Sequence, residues 1–208
     1  MVARVRGGPG IGWTPFSTAS ALPPGGSRRT AVRYAEAMEQ MVITILGDDR
    51  AGLVDVLSGA IGRHGGNWER SEMIELAGTF AGVVLVSVAS SKAEALCADL
   101  EAIEAKGLLN IEVAKAKSNK GRPGHRFSVE ITGQDHPGII HEISHALAEN
   151  NVNIEELSSE VVPAPMGGRM FVAIAVVDAP QDLGRHGLRS LLEQVATDLM
   201  VDVEVQDG

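Results

Sequence analysis

His141, Glu142 and His145 lie in the stretch HPGIIHEISHALAENN, where HEISH matches the H-E-x-x-H pattern of helix-borne zinc sites. Two His one helical turn apart can share a metal, and the Glu between them can activate a bound water. The surroundings argue against that chemistry. At ~100° per residue Ile139, Ile140, Ile143, Ala146 and Leu147 gather on one side of the helix, which turns His141 and His145 outward. Positions where a third ligand would follow hold Ala148 and Asn151. No cofactor or structural metal is expected.

A second set of residues repeats. VITILGDDRAGLVDVLSGAIGRHGGNWE, from Val42, aligns without gaps on SVEITGQDHPGIIHEISHALAENNVNIE, from Ser128, at a constant offset of 86 residues. Gly47 thereby matches Gly133, Asp49 matches Asp135, Arg50 matches His136, Gly52 matches Gly138 and Asn67 matches Asn153. Each turn, G-x-D-x-[AP]-G, precedes a helix whose first N–H groups have no partner within it; with the helix dipole they attract a carboxylate. Gly52 and Gly138 let a ligand approach the backbone, and Leu53 and Ile139 follow as the first helical amides. Asp49 and Asp135 can cap the helix or meet an ammonium group. Arg50 and His136 flank the site and are placed to read the rest of a ligand. Asn67 and Asn153, with Ile154, open the next strand, and each Asn offers a donor and an acceptor. The same residues also make ordinary turn and cap chemistry in proteins that bind nothing there.

The elements that must position these residues come in the same order twice. Alternating strands at Val42 to Leu46 and Phe127 to Thr132 lead into the turns. Helices with apolar residues at Leu53, Val54, Leu57, Ala60 and Ile61, or Ile139, Ile140, Ile143, Ala146 and Leu147, end at Gly65-Gly66 or Asn150-Asn151, which tolerate left-handed backbone. A strand, a hairpin and a third strand follow, then a second helix near Lys92 to Ala105 or Leu188 to Leu199 and a closing strand. The order is βαββαβ in each copy. The fold class is α+β: two ferredoxin-like domains in tandem, each an antiparallel sheet with helices on one face. Domain boundaries are placed at residues 41–117 and 125–206, joined by a linker at 118–124. Met73 and Leu76 are expected on the uncovered sheet face, to be buried against a second domain or subunit.

Composition bounds the function. The chain of 208 residues carries a net charge of −9, yet Arg4, Arg6, Arg28, Arg29 and Arg33 precede the first acidic residue, Glu36. Residues 1–40 hold GGPG and PPGG without sustained periodicity and are expected to be a disordered extension, from an upstream start codon or, as an alternative, an organelle leader. The acidic remainder repels phosphates, so direct nucleic-acid binding is not expected. No apolar run approaches the ~20 residues of a membrane span. Cys97, the one cysteine, sits among Leu96, Leu100 and Ile103 and reads as a packed thiol in a reducing compartment. No phosphate loop, nucleophile elbow or convergent carboxylate pair marks an enzyme.

At GDDRAG and GQDHPG, each preceded by a strand and followed by a helix ending in N-[WI]-E, the sequence resembles ACT domains, small amino-acid-binding regulatory modules. The tandem pair from Met41 to about Gln206 is similar to the glycine cleavage system transcriptional repressor group. Ala51 departs from the pattern, because the family carries Pro there, and the first loop is expected to be less rigid. The resemblance implies a non-catalytic, cytoplasmic homodimer that binds a small amino acid, glycine, where the turn of one ACT unit faces the second strand of another. It further implies regulation of transcription through an activator protein. The alternative reading is a constitutive regulatory subunit or interaction module of a metabolic enzyme.

Overall fold

The computed structural model of the chain describes residues 36–117, 124–165 and 167–208. Most of the expected extension and linker, residues 1–35 and 118–123, lies outside these, as does Met166 of the second hairpin. Contacts divide the chain into two compact units, with the division after Ala116.

The first unit runs β1 (Met38–Asp48), α1 (Leu53–Arg63), β2 (Asn67–Leu76), β3 (Thr79–Ala89), α2 (Ser90–Glu104) and β4 (Asn110–Lys115). The second runs β5 (Gly124–Gln134), α3 (Ile139–Glu149), β6 (Asn153–Pro163), β7 (Arg169–Pro180), α4 (Arg185–Leu199) and β8 (Val201–Asp207). The 86-residue offset survives folding, because β1 and β5, like α1 and α3, share their limits after that shift. Met38 to Gln40 belong to β1 rather than to the extension expected through residue 40, and Gly124 belongs to β5 rather than to the linker. Both sheets are antiparallel, in the orders β2-β3-β1-β4 and β6-β7-β5-β8. A bulge falls at the same place in each, between Trp68 and Arg70 and between Ile154 and Glu156.

Period-2 alternation on the central strands meets helical periodicity above them, and that builds each core. In the first unit Met41, Ile43 and Ile45 of β1 and Val84, Val86 and Val88 of β3 are buried beneath Leu57, Ile61, Leu96 and Leu100. In the second, Val129, Ile131 and Val177 lie beneath Ile143, Leu147, Leu188 and Leu192. Each of the fully buried branched side chains stabilises its unit by roughly 1.5–3 kcal/mol relative to exposure. The first helices stop where expected: Gly65 takes φ 68° and Asn151 φ 57°, and the next amides, of Gly66 and Val152, bond back to Ile61 O and Leu147 O at 2.9 Å.

Met73 corrects one expectation. It lies opposite Gly82 on the helix-covered side, where it packs on the core, and a Cβ at Gly82 would stand 2.6 Å from Met73 Cγ. Residues 73 and 76 have opposite parity on one strand, so they cannot share a face. The uncovered face carries Ile74 and Leu76 of β2, Leu46 of β1 in the same row as Ile74, and Val83 of β3 in the row of Glu72 and Thr44, and all four apolar side chains are exposed.

Candidate functional site

The two turns are built alike. Gly52 and Gly138 are the N-caps of α1 and α3, at φ 97° and 104°, a backbone that L side chains rarely adopt. Nothing lies within 4 Å of where a Cβ would stand on either, so the space above the backbone is open. The first intrahelical bonds run from Val56 N–H to Gly52 O and from Glu142 N–H to Gly138 O, both 3.0 Å. The amides of residues 53–55 and 139–141 therefore open their helices without an acceptor inside them. Leu53 and Ile139 are 4% and 2% exposed, so each side chain faces the core and only the backbone N–H is left for a ligand.

The side chains of the turns are committed differently from the sequence expectation. Neither helix has a side-chain cap, so Asp49 and Asp135 do not cap. Their backbones instead join the sheet end: Asp49 N–H donates to Gly78 O at 2.9 Å and Asp135 N–H to Arg169 O at 3.1 Å. The Asp135 carboxylate also meets Arg169 Nε at 3.1 Å. Arg50 donates from Nη2 to the carbonyls of Gly107 and Leu108, at 3.3 and 3.1 Å. His136 lies with Nε2 2.8 Å from Leu199 O and Nδ1 3.1 Å from Pro137 O. Hydrogen bonding to Leu199 and to Pro137, with a smaller contribution from the Asp135 charge, raises the His136 pKa against a slight desolvation penalty. Arg50 and His136 thus hold backbone rather than point into the open space above the glycines.

Asn67 and Asn153 are exposed at the starts of β2 and β6, but neither unit brings them to its own turn. Asn153 faces Asp178, which pairs with Arg126 near the start of β5, whereas Gly138 follows the end of β5 at Gln134. At ~3.3 Å per residue the two positions are separated by about 26 Å of strand. Ile154 is half-buried against the second core. What does gather beside Gly138 is the C-terminal end of α4. Pro137, Gly138, Glu142, Gln194, Val195, Asp198 and Leu199 line a depression of about 420 Å³. The α4 residues and Arg169 were missed by sequence reasoning, which has no local signal for a partner sixty residues away. The shared place of Arg50 and His136 in the repeat was the one available hint.

His141 and His145 are exposed, with nearly parallel rings 6.1 Å apart, and His145 faces Glu149 at 3.4 Å. Among the described residues no group of three or more His, Cys, Asp or Glu side chains is placed to hold a metal ion. Among the same residues no helix is long and apolar enough to cross a membrane.

Comparison with known proteins matches residues 39–114 and residues 127–183 each to an ACT domain model. The chain is a tandem ACT-domain protein. Over 82 residues the chain is 38% identical to a UPF0237 protein of Methanopyrus kandleri, a match that covers 39% of this chain and 86% of the relative. A crystal structure of an unknown protein from Galdieria sulphuraria is similar to the chain, with a TM-score of 0.74 and 28% identity over 83% of this chain and 99% of that one. A protein provisionally assigned as a glycine cleavage system transcriptional repressor shares the fold at a TM-score of 0.59 and 15% identity, over 81% of this chain and 96% of its own. ACT domains place the protein among amino-acid-binding regulatory modules.

Proposed function

We propose that the protein senses a small amino acid, with glycine the first candidate, and regulates transcription through a partner protein without catalysing a reaction. The observation that carries the reading is the duplicated turn, in which a left-handed glycine with open space above it precedes unpaired helix amides in both ACT units. A carboxylate there would gain charge-assisted hydrogen bonds and the positive end of the dipole. Asp49 makes no side-chain bond among the described residues and is available to an ammonium group, whereas Asp135 is held by Arg169. That favours the first unit for the amino group. Asn67, Asn153 and Ile154 belong to such a site only if a second ACT unit, of the same chain or of a homodimer, supplies the strand end that a single unit keeps remote. The regulatory target is supported by the resemblance of the tandem turns GDDRAG and GQDHPG to the glycine cleavage system transcriptional repressor group, and the fold shared with the provisionally assigned repressor agrees with it.

Isothermal titration calorimetry against a panel of amino acids tests the reading. Binding should also protect against unfolding, by about 2.7 kcal/mol at a hundredfold excess over Kd. Absence of heat and of thermal shift with every amino acid at millimolar concentration removes the sensing function. The committed state of Arg50, Asp135 and His136 favours a second reading, a constitutive interaction module of a metabolic enzyme. Recovery of an enzyme rather than a transcription factor on co-purification would select it.

A further inference from the structure

Positions 50 and 136 correspond under the repeat, and each side chain crosses its own unit to the corner where the second helix hands over to the last strand. Arg50 reaches the carbonyls of Gly107 and Leu108, just before β4. His136 reaches the carbonyl of Leu199, the last residue of α4. Beneath each tie the first strand is pressed against the same corner. A Cβ on Gly47 would stand 2.7 Å from Leu108 O, and one on Gly133 would stand 2.9 Å from Met200 O and 2.8 Å from Val201 Cα. Turn and corner are therefore packed as one piece in each unit, with one polar side chain laid across them.

The two ties differ in chemistry. A guanidinium carries five N–H donors and keeps its charge at any pH at which the protein is folded. A neutral imidazole has one N–H: on Nδ1 it gives up Leu199 O, and on Nε2 it leaves the Nδ1 lone pair facing Pro137 O at 3.1 Å, which weakens the tie; only the imidazolium serves both carbonyls. We propose that His136 is a pH-released catch, closing the turn before α3 onto the α4–β8 corner when protonated and loosening it when neutral, while Arg50 keeps the equivalent turn of the first unit closed throughout.

The charged surroundings agree with that assignment. Leu199 O is one of the carbonyls left unpaired at a helix C-terminus, where the dipole favours a cation. On its own turn His136 has Asp135, which Arg169 of β7 holds at 3.1 Å. From α3 and α4, Glu142 and Asp198 line the adjoining depression. Asp202 of β8 pairs with Thr132 on the uncovered face of the sheet. The folded pKa is raised, chiefly by the bonds to Leu199 and Pro137. A raised value makes the tie's contribution complete below the ordinary His value near 6.5 and loses it as pH climbs through the folded value. The catch opens on the alkaline side.

Amide hydrogen exchange followed by NMR across this range, corrected for intrinsic rates, tests the catch in wild type, His136→Arg and His136→Gln. In wild type the protection of the Asp135, Glu142 and Met200 amides should fall several-fold as the ring deprotonates. His136→Arg should make it independent of pH and high, and His136→Gln independent of pH and low. The Asp49 and Val56 amides of the first unit should not respond in any of the three. The proposal is overturned if wild-type protection stays constant while the His136 ring resonance titrates, if that resonance titrates at or below the ordinary value, or if His136→Arg keeps the wild-type slope.

Discussion

Adding one methyl group at Gly133 and one at Gly138 should destabilise the second unit for unrelated reasons, and a third residue type separates them. At Gly138 the space is open and the cost is conformational, since φ is 104°. An L residue in left-handed backbone costs about 1–2 kcal/mol, and the narrower unfolded ensemble of Ala returns ~0.4–1 kcal/mol, leaving a net loss of about 1 kcal/mol. At Gly133 the cost is steric. Its Cβ would meet Val201 Cγ1 at 2.6 Å, Val201 Cα at 2.8 Å and Met200 O at 2.9 Å, two of them backbone atoms that move only if β5 and β8 separate. Overpacking of that kind costs roughly 1–3 kcal/mol. Asn tolerates left-handed backbone better than Ala but is larger. Gly138→Asn should therefore be milder than Gly138→Ala, and Gly133→Asn harsher than Gly133→Ala. Urea titrations followed by resonances of the second unit report that unit alone, which matters because two units need not unfold together. If Asn ranks on the same side of Ala at both positions, the assignment of one cost to φ and the other to crowding is wrong.

Two further outcomes follow from ionisable groups of the first unit. Arg63 bonds to the Asp99 carboxylate at 2.9 Å and His64 lies 3.1 Å from it, tying α1 to α2, and hydrogen bonding to Arg63 holds the Asp99 pKa below its ordinary value. Its stabilisation is present above the ordinary carboxylate range and disappears as pH falls through the depressed folded value, so Asp99→Asn should lower the neutral-pH Tm and flatten the acid limb of Tm against pH; an unchanged acid limb refutes the linkage. The Cys97 thiol is pushed up by burial first and then by Glu101, Glu39 and Glu94, which lowers the thiolate fraction that reacts. Iodoacetamide at pH 8 should label the native protein many-fold more slowly than the urea-unfolded chain, and equal rates would show Cys97 to be open.

The repeat, the element order and the left-handed turn positions were legible in the sequence because they are written locally. Strand alternation, helical periodicity and glycine or asparagine at a stop act over a few residues, and an offset of 86 residues copies all of them together. Asp49, Arg50, Asp135 and His136 were found as turn residues for the same reason. Their partners were not, since a side chain's choice among acceptors depends on which chain segments meet. Arg50 bonds 57 and 58 residues downstream and His136 63 residues downstream, to backbone carbonyls that no residue type advertises. The separation of Asn153 from Gly138 is likewise a matter of strand direction, which sequence spacing does not carry. Sequence alone determined that two copies of one module each place a glycine turn ahead of a helix, because backbone preference is intrinsic to the residue. Tertiary structure decided which turn side chains remain free for a ligand, because packing brings distant carbonyls and guanidinium groups within hydrogen-bonding reach and they compete for the same atoms.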